Sequence, residues 1–315
     1  MNTTLPAPAG GTVQVAGFNS ELVDRFVSFL DVAPRSVGTY VKALRRLLAY
    51  FAGKGIVSPR REDVLAYRES LRLEGKAPST IALYMVATRM FFGWLAQEGI
   101  YPNVAEHVKG AKIDRAHKKD YLTAPQIRSV LDGIDRSSLQ GLRDYAMVAL
   151  MAACGLRTVE VSRANIEDLG TAGGSSVLYV QGKGRVEKAE YVKVPDAVER
   201  AVRAYLAVRG TAEETEPLFA SLSRNYKEQR LSTRSISGTV KARMQAAGYN
   251  SKRLTAHSLR HSAVTLSLLA GRSLEEVKQF ARHADVGTTL IYSHAMEAEK
   301  NGCSSAVAAA IFQNS

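Results

Sequence analysis

Leu150-Met151-Ala152-Ala153-Cys154-Gly155-Leu156-Arg157-Thr158-Val159-Glu160 is where this chain changes character. Ahead of it, the apolar run from Val148 to Cys154 closes a long helix expected over about 141–153. Gly155 marks a turn, and Arg157 then stands at the opening of another helix with Glu160 three residues on. An arginine that follows a buried helix has a rigidly held backbone, which suits a residue that binds an anion. An ordinary Arg157–Glu160 pair at i, i+3 accounts for the same residues and contributes only roughly 0.3 kcal/mol.

Past this turn the hydrophobic period switches. Residues 176–181 and 189–194 are short β-rich runs flanking Gly182-Lys183-Gly184-Arg185, the signature of a hairpin. Helices resume at about 196–209, 232–247, 256–270 and 273–281. Upstream, Leu122-Thr123-Ala124-Pro125-Gln126 opens a helix with Thr123 as its cap. The second half is therefore mostly α with a small antiparallel sheet.

The first hundred residues carry only the helical period. Tyr40, Leu44, Leu47, Leu48 and Phe51 recur at helix spacing after Ser36 as N-cap, and Gly53 supplies a stop. A second long helix begins at Pro78-Ser79-Thr80 and runs through Ile81, Met85, Thr88, Phe92 and Leu95 to Gly99, with a third over Arg61 to Leu73 between them. Their aromatics, the single Trp94 included, read as core. Four segments follow: a flexible tail over 1–16, a helical domain over 17–107, a basic linker over 108–120 and a second domain over 121–315. The linker holds Lys109, Lys112, Arg115, Lys118 and Lys119 against Asp114 and Asp120.

With 46% hydrophobic residues in 315, the chain is globular stock, and its formal charge of +12 favours a polyanionic partner, nucleic acid first. Lys42, Arg45 and Arg46 on the first long helix, Ser79, Thr80 and Arg89 on the second, and Lys112, Lys118 and Lys119 in the linker are candidate DNA contacts. A solvated charged face explains them as well. Cys154 lies in an apolar run far from Cys303, as a buried free thiol would, and no CxxC zinc pattern is present. Met1 to Gly17 has neither a basic leader nor an apolar signal core, and no apolar stretch reads as long enough for a bilayer. A cytoplasmic protein is the expectation.

Chemistry gathers in the second half. Lys183 sits at the hairpin tip between glycines, where most lysines are only solvated; Lys188 and Lys193 are the alternatives. In Thr255-Ala256-His257-Ser258-Leu259-Arg260-His261, His257 and Arg260 lie three apart near a helix N-terminus, an end that favours phosphate. His257 and His261 have the spacing of a zinc pair, but Ser258 stands where a metalloprotease helix needs glutamate. Further on come Ala281-Arg282-His283 and, nine residues after His283, Tyr292, one of thirteen tyrosines. Breaking a phosphodiester without a metal needs fixed cations around phosphorus, a proton donor for the leaving oxygen and a nucleophile. Arg157, Lys183, His257, Arg260, His283 and Tyr292 supply a residue type for each role.

In this order the residues resemble the tyrosine recombinase (phage integrase) family: a Gly-Leu-Arg turn, a hairpin lysine, His-x-x-Arg, a further His or Trp, then Tyr. The resemblance spans about residues 18–300, its front part being similar to the family's helical core-binding (SAM-like) domain. It implies a mainly α (α+β) protein that cleaves and rejoins DNA at specific sites, whether in integration, excision or dimer resolution. In that scheme Arg157 and Arg260 clamp the scissile phosphate, and Tyr292 forms a 3′-phosphotyrosyl link. Lys183 protonates the leaving 5′-oxygen, His257 assists proton transfer, His283 hydrogen-bonds a phosphate oxygen, and Glu160 is the supporting carboxylate. It implies no metal and no nucleotide cofactor. It also implies double-stranded recombination sites as partners and a homotetramer on two of them, leaving open a partner recombinase or a DNA-bending factor. With about sixteen residues ahead of the front domain, a simple Xer-like enzyme or compact mobile-element integrase is expected. A type IB topoisomerase shares the chemistry, but the small helical front domain fits a recombinase better. The family commonly has Leu-Gly-His where this chain has Ala-Arg-His, which makes Arg282 a further candidate for contact with DNA or a neighbouring subunit.

Overall fold

The computed structural model describes residues 20–32, 34–113, 120–181, 188–210, 213–283, 285–287, 289–290, 307 and 311. The chain divides into two units, Met1–Arg115 and Ala116–Ser315.

Among the described residues the first unit holds four helices: α1 (Ser20–Phe29), α2 (Pro34–Gly53), α3 (Arg61–Leu73) and α4 (Pro78–Gln97). Their apolar stripes meet in one core of Phe26, Leu44, Leu47, Phe51, Met85, Phe91 and Phe92. Trp94 belongs to it, its ring 5.6 Å from that of Phe26 and 6.0 Å from that of Phe91. The first long helix starts two residues ahead of Ser36, because Pro34 has the fixed φ and missing N–H that suit a first helical position. One expectation is corrected by α4: at 20 residues it is long and apolar enough to cross a membrane by length and composition, with 50% of its apolar window buried. Packing also carries this unit past residue 107. Val108 is buried in its core, and Arg61, Arg89 and Arg68 donate to the carbonyls of Glu106, Val108 and Lys109.

The second unit is arranged around α6 (Leu139–Cys154), whose Met147, Leu150 and Met151 are fully buried. Ser138 caps it by accepting the Gly141 amide at 3.1 Å. Against α6 lie α8 (Asp196–Arg209) with Val202 and Tyr205, α9 (Thr233–Ala246) with Ile236, Val240 and Met244, and α10 (Ala256–Leu269) with Leu259. α5 (Ala124–Asp132) opens with the expected capping box, the Thr123 amide donating to Gln126 Oε1 at 2.8 Å. A short α7 (Thr158–Arg163) follows α6, and α11 (Leu274–Ala281) follows α10. The sheet is antiparallel in the order β1 (Leu169–Ala172), β2 (Ser175–Val180), β3 (Glu190–Lys193), with Leu169 opposite Leu178 and Val180 opposite Glu190.

One buried carboxylate joins two of these helices. Asp144 of α6 accepts from Arg143 at 2.8 and 3.0 Å through one oxygen and from Arg243 of α9 at 2.5 and 3.0 Å through the other. Each oxygen has a bidentate cation, so the charge is compensated where water does not reach.

Candidate active site

The corner after α6 sets the geometry. Gly155 has φ +60°, where a side chain is strained, and a Cβ there would lie 3.1 Å from the Phe280 ring, which would have to shift. The turn sends Leu156 into the core and leaves Arg157 as the N-cap of α7. Glu160, the third residue of α7, reaches back: its Oε2 accepts the Arg157 amide at 2.8 Å and its Oε1 accepts Arg157 Nη1 at 2.6 Å. The ordinary i, i+3 pair and the rigidly held arginine are thus the same arrangement.

α10 supplies the second guanidinium. Thr255 caps it, its amide donating to Ser258 Oγ at 3.0 Å. Arg260 is only 2% exposed. It donates through Nη1 to the Gly155 carbonyl at 2.6 Å and through Nη2 to the Ala281 carbonyl. Arg157 Nη2 donates to the next carbonyl along, that of Arg282, at 3.1 Å. Two cations from separate helices therefore meet one peptide apart at the end of α11.

His283 comes directly after that peptide. Its Nδ1 lies 2.9 Å from Thr289 Oγ1. Burial, then the charges of Arg260, Arg157, Arg282 and His257, push its pKa down to about 4, so the ring is neutral at pH 7. His257 is exposed at the start of α10, with its ring 4.5 Å from that of His261 and edge-on to it. Burial alone would raise the Glu160 carboxyl, but the charge and hydrogen bond of Arg282, with the Arg157 amide and charge, hold it below its ordinary value. Cys154 is buried and free; burial, opposed by the Arg282 charge, pushes its thiol up to about 12, which removes it as a nucleophile at neutral pH.

The structure thus brings together Arg157, Glu160, Arg260 and His283, with His257 near enough to act on His283. Lys183 and Tyr292 lie outside the described residues, as do Lys118 and Lys119. Of the alternative lysines, Lys188 donates to Asp168 Oδ2 at 2.6 Å and Lys193 is exposed on β3. Among the DNA candidates Lys42, Arg45, Arg46, Ser79 and Lys112 are exposed and Thr80 is half-buried. Arg46 is shared with Glu74, and Arg89 donates to the Val108 carbonyl at 2.6 Å. Arg282 differs from expectation. Its side chain is 6% exposed and donates to Glu160 Oε2 at 2.8 Å, so its guanidinium faces the protein interior and the geometry does not carry a DNA contact for it. Thr289 was not anticipated; its position six residues after His283 was the only available signal. Among the described residues no three His, Cys, Asp or Glu side chains gather as a metal site would.

Residues 120–299 match the pattern described as the phage integrase family, and residues 23–99 match the phage integrase N-terminal SAM-like domain. The chain belongs to the phage integrase family and is an enzyme of site-specific DNA recombination, cutting and rejoining strands by tyrosine chemistry. A tyrosine recombinase XerD of Listeria innocua serovar 6a is 28% identical over 291 residues, covering 87% of this chain and 94% of that protein. Similar folds include the XerH site-specific recombinase bound to palindromic difH substrate in a post-cleavage complex. There the TM-score is 0.72 at 20% identity, covering 91% of this chain and 84% of that one. A lambda integrase tetramer bound to a Holliday junction gives a TM-score of 0.62 at 18% identity, covering 84% and 77%.

Proposed function

We propose that strand cleavage occurs at the corner formed by Arg157, Arg260 and His283, with Tyr292 as nucleophile. The observation that carries this is the donation of Arg260 and Arg157 to the successive carbonyls of Ala281 and Arg282. Two guanidiniums held that close, with His283 next in sequence, match the charge of a pentacoordinate phosphorane, whose nonbridging oxygens take paired donors at fixed geometry. A free tyrosine has a pKa of about 10, and these cations weaken its hold on the proton. Attack at phosphorus forms the 3′-phosphotyrosyl bond and breaks the bond to the 5′-oxygen, which takes its proton from Lys183. His257 assists by taking up the phenol proton, and a neutral His283 hydrogen-bonds a phosphate oxygen. Glu160 holds Arg157 in place. The covalent link keeps the energy of the broken bond, so another strand's 5′-hydroxyl reverses the step without ATP.

The helical front domain and the basic stretch 108–120 contact the duplex through Lys42, Arg45, Ser79, Thr80, Lys112, Lys118 and Lys119. Exposure of Lys42, Arg45, Ser79 and Lys112, four of the five described ones, supports that reading. A homotetramer on two sites, acting in the cytoplasm, exchanges the strands; the lambda integrase tetramer on a Holliday junction supports it by analogy. Val307 and Ile311 are helical and exposed at 57% and 61%, as residues that dock onto a neighbouring subunit would be.

The test is covalent trapping. A pool of nicked duplexes cut from the genomic DNA flanking the gene is incubated with protein, and adducts surviving denaturant are recovered and mapped. Wild type yields an adduct on Tyr292 and Tyr292→Phe yields none. An adduct in the phenylalanine variant, or none in wild type, overturns the assignment.

A further inference from the structure

Arg282 ends α11 with φ +51°, a left-handed conformation that residues with side chains seldom take and that glycine takes without strain. An arginine held there draws attention to its side chain. Nη1 donates to the Phe280 carbonyl at 2.8 Å. Nη2 donates to Glu160 Oε2 at 2.8 Å and leans on the Gly155 carbonyl at 3.4 Å. Glu160 is the carboxylate that holds Arg157, and the Gly155 carbonyl is the acceptor that holds Arg260. Arg282 therefore touches the anchors of both guanidiniums. Its own carbonyl also accepts from Arg157.

Resting on the cleavage centre proposed above, we infer that Arg282 is a positioning residue that fixes the spacing between Arg157 and Arg260. A planar guanidinium is suited to this, because it holds three acceptors from α7, α11 and the Gly155 turn in one plane-defined fork. A lysine's three donors radiate from a single nitrogen and do not reproduce the planar two-nitrogen fork, and glycine has no side-chain donor. The charge serves a second purpose: Glu160 is fully buried between two cations, so Arg157 is not left neutralised by a carboxylate it alone must satisfy.

The experiment compares wild type, Arg282→Lys and Arg282→Gly on a nicked duplex recovered by the trapping described above. Single-turnover adduct formation, DNA affinity and melting temperature are measured for each. Arg282→Gly cleaves on the order of 10²-fold more slowly, the effect of a small misplacement of clamping groups, while DNA affinity stays within about twofold because few phosphate contacts change. Arg282→Lys falls between the two and keeps the fold if glycine does not. Cleavage by Arg282→Gly within about twofold of wild type overturns the inference. So does a lysine variant no better than glycine, or an affinity loss matching the rate loss, which would mark a DNA contact. Absence of any wild-type adduct strikes instead at the cleavage centre itself and takes this inference with it.

Discussion

Thr289 Oγ1 lies 2.9 Å from Nδ1 of His283, tying the chain that leads toward Tyr292 to the ring beside the two arginines. The same ring has its pKa lowered to about 4 by burial and then by Arg260, Arg157, Arg282 and His257. Between an ordinary value of 6.5 and about 4 the unfolded chain binds a proton that the folded chain refuses. Stability is therefore fully present above 6.5 and is lost as pH falls toward 4. Urea unfolding from pH 7 to pH 4 should show this decline in wild type and a shallower one in His283→Gln; equal slopes would contradict it. Histidine NMR should place the His283 midpoint well below those of exposed histidines.

Gly155→Ala tests the corner. The left-handed backbone and the Phe280 ring 3.1 Å from a new Cβ should together cost about 1–3 kcal/mol. The melting temperature falls by several degrees, and cleavage falls further than stability alone explains, because the Gly155 carbonyl anchors Arg260. A variant that melts and cleaves like wild type would show that the turn tolerates a side chain.

Asp144→Asn should be among the most damaging substitutions away from the site. It leaves buried Arg143 and partly exposed Arg243 with a neutral partner, at a cost of about 3 kcal/mol, the low end for a broken buried pair because water reaches Arg243. The denaturant midpoint reports it. A loss below about 1 kcal/mol would mean that water or another anion compensates the two cations.

Lys183→Ala should abolish cleavage of an ordinary phosphodiester yet leave cleavage of a substrate whose bridging 5′-oxygen is replaced by sulfur. A thiol leaving group, with a pKa of about 8.5, departs without a proton. Lys188→Ala, which removes the partner of Asp168, should leave cleavage intact. If Lys188→Ala shows the sulfur rescue and Lys183→Ala does not, the acid is Lys188.

Much of this fold was legible because buried helical stripes leave a period in the sequence. The bounds of α3 and α8 agree with those read from the pattern, and the cap at Thr123 follows from a short polar side chain just ahead of Pro125. β1 was not legible: Leu169-Gly170-Thr171-Ala172 has one large apolar residue, and only its pairing with β2 makes it a strand. For the site, residue type and order singled out Arg157, Glu160, Arg260 and His283. The acceptors that hold them were hidden, since the carbonyls of Gly155, Ala281 and Arg282 belong to the backbone and carry no residue signature. Arg282 itself read as a surface cation because nothing in the sequence announces that its guanidinium turns inward.

Arg61, Arg68 and Arg89 grip the backbone of Glu106, Lys109 and Val108, and a Cβ at Gly110 would stand 3.0 Å from Ala82 Cα. Anyone grafting this helical front piece onto a foreign catalytic half, to retarget it, has to keep the native tail through Gly110. A chimera spliced before Glu106 replaces the segment whose carbonyls three guanidiniums hold and whose Val108 fills the core, and frays the seam it was meant to preserve.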